Sequence, residues 1–243
     1  MENEWLSEII KKEFHALNGI YGSRRMTLLI NRKYQKQYNF KRIRRLMRVL
    51  GLYSVIRRKR RGCTHSEHLN YEENTLGRDF SATEPNQKWV TDVTYLEYGL
   101  GQKAYLSAIK DLYDGSIISF EISKRNDNRL VMKTLEKAFT HLNGADLLLH
   151  SDRGFQYTSR EYLRLTSRHG VTRSMSRVGK CIDNAPMESF WSHFKTECYY
   201  WLKCETYGEL VEMIENYIKF YNTQRYQIKL NSLTPEEYRN QAA

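Results

Sequence analysis

The chain has 243 residues, 40% of them apolar, with 39 Lys and Arg against 28 Asp and Glu for a net charge of +11. That length suits one large domain or two small ones at roughly 100–200 residues each, and no run approaches the roughly 18–20 apolar residues of a membrane span. The opening MENEWLSEII lacks a basic start followed by an apolar stretch, and the 4 cysteines form no CxxC pair, so a reduced cytoplasmic chain without a secretory leader or disulfide staples is expected.

The charge is unevenly placed. Residues 1–70 hold 17 basic residues against 5 acidic ones, and residues 71–243 hold 22 against 23. An excess confined to one segment points to a polyanion, nucleic acid first. Trp5, Leu6, Ile9, Ile10, Phe14 and Leu17 recur at near-helical spacing before Gly19. Ser23 to Lys33 gathers Met26, Leu29 and Ile30 on one side of a second helix. A third opens after Asn39, a good N-cap, places Ile43, Leu46, Met47 and Leu50 on one face, and ends at Gly51. Its other face carries Lys41, Arg42, Arg44, Arg45 and Arg48. Three short helices with a basic last one suit an all-α, helix-turn-helix-like module over residues 1–56, with Arg42, Arg45 and Arg48 meeting DNA. A small bundle with a merely solvated basic face is the alternative. Arg57, Arg58, Lys59, Arg60 and Arg61 then open a polar stretch that runs to Pro85. Adjacent cations repel, so residues 57–85 read as a basic linker lying on phosphates.

From Trp89 the pattern turns to strands. Trp89–Leu96, Ala104–Lys110 and Ser116–Ile122 are expected as three antiparallel strands, the last two joined across Asp111 to Gly115. A helix over Asn128–Thr140, a strand over Leu147–Ser151, a helix over Ser159–Arg168 and a strand over Val171–Ser174 follow. A helical region begins near Pro186, and Tyr207–Tyr221 forms one more helix. This is an α/β pattern, a mixed sheet flanked by helices. Residues 86–205 form the core and residues 206–243 a helical tail.

Three carboxylates stand out. Asp92 lies mid-strand on the face of Val90 and Thr94, where a carboxylate is costly unless paired or metal-bound. Asp152 follows the apolar run Leu147-Leu148-Leu149, where the chain turns. Glu188 falls in the first turn of a helix capped by Asp183 or Asn184 and opened by Pro186. Ser192 and Lys195 share its face, while Phe190, Trp191 and Phe194 occupy others and anchor the helix. In-line displacement at a phosphodiester needs an activated oxygen nucleophile and a stabilised leaving oxygen. Two hard cations roughly 3.5–4 Å apart supply both, and Mg²⁺ is held by one or two carboxylates plus substrate phosphate. Lys195 would then meet a DNA phosphate; an exposed, solvating lysine is the alternative. With 28 acidic residues such triples arise by chance, so the surrounding words decide.

Between Asp152 and Glu188 lie 35 residues, and Lys195 follows Glu188 by 7. This resembles the Asp, Asp, 35-residue gap, Glu signature of retroviral integrases and related transposases. Trp89-Val90-Thr91-Asp92-Val93-Thr94-Tyr95, His150-Ser151-Asp152-Arg153-Gly154-Phe155-Gln156-Tyr157 and Asp183-Asn184-Ala185 with Glu188-Ser189-Phe190 resemble the B-frame transposase of insertion-sequence family three. Tyr21-Gly22-Ser23-Arg24-Arg25 and Arg44-Arg45-Leu46-Met47 with Gly51-Leu52 resemble that family's helix-turn-helix-like segment. Tyr221-Asn222, Arg225, Leu230 and Thr234-Pro235-Glu236-Glu237-Tyr238 resemble its C-terminal tail. The resemblance implies a ribonuclease-H-like core with Asp92, Asp152 and Glu188 as catalytic ligands of two Mg²⁺ or Mn²⁺ ions. It further implies recognition of terminal inverted repeats, nicking of a 3′ end, joining of that hydroxyl to DNA, and a homo-oligomer on DNA. The setting would be the bacterial cytoplasm and nucleoid, alongside an A-frame protein of the same element. Two features depart from the pattern. Arg225-Tyr226-Gln227 stands where many relatives read Arg-Pro-His, and the A-frame's further helix-turn-helix and coiled coil are not in this sequence.

Other readings rank lower. Cys63, His65 and His68 lack the paired spacing of a zinc site. His150, Ser151 and Asp152 are adjacent on a strand and alternate between faces, so they cannot align as a hydrolase triad. Asp111 and Asp114 are expected in turn chemistry before Gly115. Tyr199, Tyr200 and Trp201 are expected in the core rather than as a base-stacking platform, and Cys181 as inert. A catalytically inactive DNA-binding regulator and a ribonuclease-H-like nuclease that cuts without joining remain the competing functions.

Overall fold

A computed structural model describes residues 2–55, 72–142 and 146–241. The run Arg57 to Arg61, the residues Cys63, His65 and His68, and the side chain of Cys181 lie outside the described residues. The chain divides into two compact units, Met1–Lys59 and Arg60–Ala243.

The first unit contains α1 (Glu2–Ala16), α2 (Ser23–Lys33) and α3 (Phe40–Val49). The expected apolar faces meet in its core, where Leu6, Ile10, Phe14, Met26, Ile30, Ile43, Leu46 and Met47 are buried. Gly19 ends α1 at φ +72°, a left-handed turn in which its N–H reaches the Phe14 carbonyl at 2.9 Å. Asn39 caps α3 by accepting from the Lys41 N–H at 2.8 Å. Buried Glu13 ties α1 to α2, accepting from Lys33 Nζ at 2.8 Å and the Tyr34 hydroxyl at 2.7 Å.

The second unit is built on β1 (Lys88–Tyr98), β2 (Gln102–Asp111), β3 (Ile117–Ser123), β4 (Leu148–Ser151) and β5 (Thr172–Met175), in the order β3-β2-β1-β4-β5. The first three pair antiparallel, and β4 joins β1 and β5 in parallel. Helices α4 (Asn128–Phe139), α5 (Arg160–Arg168), α6 (Ala185–Phe194), α7 (Tyr207–Thr223) and α8 (Pro235–Asn240) complete it. Alternation along β1 separates two cores. Val90, Leu96 and Tyr98 pack with Met187, Phe190 and Phe194 of α6 and Leu210, Ile214 and Tyr217 of α7. Trp89 packs with Val131, Leu135 and Ala138 of α4 and Tyr162 of α5.

Residues 206–243, expected as a tail, are part of this unit, because α7 covers one face of the sheet with Leu210, Ile214, Ile218 and Tyr221. The closing helix α8 carries a capping box between Thr234 and Glu237. Its Arg239 clasps the buried Asp111 and Asp114. Those two acids also perform the expected turn chemistry, accepting from Tyr113 N at 3.0 Å and Ser116 N at 2.7 Å. Among the described residues no helix is long and apolar enough to cross a membrane.

Candidate active site

Val90 of β1 lies opposite His150 of the parallel strand β4. Continuing that register by two residues brings Asp92 beside Asp152, where β4 has just ended and the chain turns. Burial, then the charge of Asp152, then more weakly that of Glu188, push the Asp92 carboxyl above the usual carboxylate range. Two hydrogen bonds oppose the shift and fix the carboxylate: Oδ1 accepts from Val93 N at 2.8 Å and Oδ2 from Trp191 Nε1 at 2.9 Å. Burial also raises Asp152, whose Oδ1 accepts from Gly154 N at 2.9 Å. That turn needs glycine for space: a Cβ at Gly154 would stand 3.1 Å from Asp152 Oδ1 and 2.9 Å from Gln156 Oε1. Below the acids, Tyr157 is buried with its hydroxyl 3.3 Å from Thr91 Oγ1, and burial keeps its phenol protonated.

Glu188 sits exposed on the first turn of α6. Among the described residues no three Asp, Glu, His or Cys side chains converge tightly enough to hold an ion as they stand. Asp92 and Asp152 are the close pair, with Glu188 near enough for its charge to act on Asp92. The start of α6 is anchored from two sides. Buried Asp183 accepts from Arg177 N at 3.0 Å, Arg177 Nε at 2.9 Å and Arg78 Nε at 2.7 Å, and these partners hold its carboxyl well below the usual range. Asn184 donates from Nδ2 to the Thr91 carbonyl at 3.0 Å. The expected side-chain cap is therefore corrected: Asn184 occupies the cap position without capping, because its backbone is not extended and its amide is turned to β1. Pro186 does open the helix, as expected.

Lys195 follows the last residue of α6 and begins a π-helical turn over Lys195–Tyr199. Its Nζ donates to Thr94 Oγ1 at 2.7 Å and lies 5.7 Å from the Tyr95 ring centre. Thr94 shares the Asp92 face of β1, so the ammonium is held along the acid row rather than merely solvated. His150 is buried, with Nδ1 2.9 Å from Ser174 Oγ and Nε2 3.0 Å from Ser176 Oγ, and burial pulls its pKa down to about 4. It is a neutral link between β4 and β5, not a member of a triad. The expectation for the aromatic trio is corrected in part. Tyr199 is half-buried, its hydroxyl donating to Glu97 O at 2.9 Å, but Tyr200 and Trp201 are 50% and 66% exposed because the π-turn ends there and turns them outward.

On α3, Arg44, Arg45 and Arg48 are exposed. Arg42 is not part of that open set. Its NH2 donates to Glu2 Oε2 at 2.9 Å and its Nε to Asn3 Oδ1 at 3.1 Å, so it clasps α1, and its guanidinium lies over the Tyr38 ring. The contacts that Trp191, Thr94, Gly154 and Tyr157 make around the acids were not among the expectations from sequence. The one available signal was Trp191 itself, since a buried indole N–H requires an acceptor.

Residues 2–60 match the HTH-like domain, and residues 82–181 and 188–242 match two descriptions of the integrase core domain. The chain is 42% identical over 233 residues to the InsK protein of insertion sequence element IS150 of Escherichia coli K12, spanning 96% of this chain and 82% of that one. It is 33% identical over 246 residues to the transposase for insertion sequence element IS904 of Lactococcus lactis, spanning 98% and 94%. Identity to the transposase InsF for insertion sequence IS3A of Escherichia coli K12 is 33% over 223 residues, spanning 90% and 77%. The second unit shares its fold with the HTLV-2 integrase catalytic core domain, at TM-score 0.54 and 19% identity over 65% of this chain and 99% of that one.

Proposed function

The chain belongs to the family-three insertion-sequence transposases, with an HTH-like domain followed by a retroviral-integrase-like core, and from that premise we propose that Asp92, Asp152 and Glu188 are its catalytic metal ligands for nicking element ends and joining the freed 3′-hydroxyl to DNA. The observation that supports this reading is the parallel register of β1 and β4, which runs to Val90 and His150 two residues short of Asp92 and Asp152, together with the charge of Asp152 acting on Asp92. Two carboxylates crowded until one resists ionisation form a site whose charge calls for cations.

The donors suit the ions. Carboxylate oxygens are hard ligands of the kind Mg²⁺ and Mn²⁺ take, and Glu188 on a helix packed against β1 is within electrostatic reach of Asp92. Two bound ions would activate the attacking oxygen and stabilise the leaving one. The chain's own groups do the positioning. Val93 N–H and Trp191 Nε1–H fix the plane of Asp92, Gly154 N–H holds Asp152, and Asn184 locks the helix of Glu188 to the strand of Asp92. Lys195, steadied by Thr94, receives a phosphate beside the scissile bond. Arg45 and Arg48 of α3, with the run Arg57 to Arg61, supply phosphate contacts on the terminal repeats. The working form is a homo-oligomer on DNA in the bacterial cytoplasm and nucleoid, with an A-frame protein of the element as a further partner.

The test uses duplexes carrying the terminal inverted repeats that flank the chain's own gene, incubated with Mg²⁺. Nicks at the 3′ element ends and joined products from pre-nicked ends are expected. DNA binding without either product would favour the inactive regulator, and nicking without joining the simple nuclease.

A further inference from the structure

Along the face of β1 opposite Asp92, the cover of α4 and α5 runs out. Thr91 is buried and Val93 half-buried, yet Tyr95 is 57% exposed. Two ammonium groups from different elements flank this ring. Lys103 Nζ of β2 lies 5.4 Å from its centre and Lys195 Nζ lies 5.7 Å away. Lys195 also bonds Thr94 on the Asp92 face, so the ring stands where the acid row passes over to the outer face of the sheet. The strand edge is open there, since β4 pairs only with Lys88 to Val90. An exposed ring between cations is the pattern that binds single-stranded nucleic acid, the ring taking a base and the cations the adjoining phosphates.

We propose that Tyr95, with Lys103 and Lys195, is a stacking platform for one unpaired DNA base next to the bond acted on at Asp92 and Asp152. The placement beside the reacting bond rests on the DNA-joining reading above; the platform itself does not. Charge selects the occupant. An exposed ring between two lysines offers little to an apolar protein surface but complements a base set in a phosphate backbone. Bases at a nicked or frayed end cost least to splay out, which is the substrate state such a site would take. With both cations in place Tyr95 is still 57% exposed, so the residue is accessible to a base.

The experiment places 2-aminopurine at successive positions near a pre-nicked terminal-repeat end and reads fluorescence on binding of the whole chain in Ca²⁺, without chemistry. A change confined to one or two positions is expected from the parent chain. Tyr95→Ala should abolish that change and slow joining in Mg²⁺ roughly 10-fold or more, while Tyr95→Phe, which keeps the ring, should preserve both. Lys103→Ala should lower the salt slope of single-strand binding by about 0.7 for one lost phosphate. A parent signal spread over all positions, an unchanged signal in Tyr95→Ala, or a Tyr95→Phe as impaired as Tyr95→Ala would overturn the proposal. Because fluorescence needs no catalysis, a chain that fails to cut can still show the platform, and a chain that cuts can still lack it.

Discussion

Trp191 donates its indole N–H to Asp92 Oδ2 at 2.9 Å, so α6, which carries Glu188, also grips the carboxylate on β1. Position 191 stands three residues on from Glu188, a neighbouring place on the helix surface, and its indole reaches the strand. Trp191→Phe keeps a ring in the core and removes only the donor. A hydrogen bond to a charged group is worth about 1.5–3 kcal/mol, so nicking at limiting Mg²⁺ should fall roughly 10-fold with little change in thermal stability. A titration of rate against Mg²⁺ checks this; a variant that matches the parent across the titration would reduce the indole contact to packing.

The crowding of Asp92 and Asp152 predicts opposite effects on stability and function. Asp152→Asn removes a charge whose repulsion raises the Asp92 pKa, so the metal-free chain should become more stable. After solvent screening the gain is about 1 kcal/mol at most, or roughly 2–4 °C in Tm for a chain of this size. The same substitution should abolish both nicking and the Tm increase that Mg²⁺ gives the parent. Calorimetry with and without Mg²⁺ decides it, and an Asp152→Asn still stabilised by Mg²⁺ as the parent is would remove Asp152 from the ligand set.

The sheet and the places of Asp92, Asp152 and Glu188 on their elements were legible because their signals are local. β1 is rich in β-branched and aromatic residues, β4 ends an apolar run, and Pro186 marks the start of α6. What sequence could not show are contacts between residues far apart in the chain. Arg42 shares a helical face with Arg45 and Arg48, but its partners Glu2 and Asn3 come from α1. Asn184 looks like a cap by residue type, yet the Thr91 carbonyl on β1 claims its amide. Arg239 and the pair Asp111 and Asp114 meet only when the chain's end folds back on the β2–β3 turn. No periodicity encodes such pairs, so the cap assigned to Asn184 from residue type did not hold.

The different settings of the α3 arginines give a test of DNA contact. Arg45→Ala with Arg48→Ala removes exposed cations, and each lost phosphate contact should lower the log–log salt slope of duplex binding by about 0.9. Arg42→Ala should leave that slope unchanged and instead loosen α1, since its partners are Glu2 and Asn3. Binding isotherms across a salt series separate the two outcomes. A slope that drops for Arg42→Ala and not for the double variant would reverse the assignment.

Lys195 is held by Thr94 Oγ1 at 2.7 Å, which makes its role testable through its partner as well as directly. Lys195→Ala should slow joining of pre-nicked ends at saturating Mg²⁺, a condition that isolates DNA placement from metal occupancy. Lys195→Arg should recover part of the loss, since a cation remains but with different shape and hydration. Thr94→Val keeps the branched shape and removes the hydroxyl, so the ammonium stays in the chain but loses its anchor. Its joining rate should fall between those of the parent and Lys195→Ala, with the Mg²⁺ dependence of nicking unchanged. Should Lys195→Ala join ends as fast as the parent, the hydrogen bond to Thr94 is a structural tie and the phosphate contact lies elsewhere.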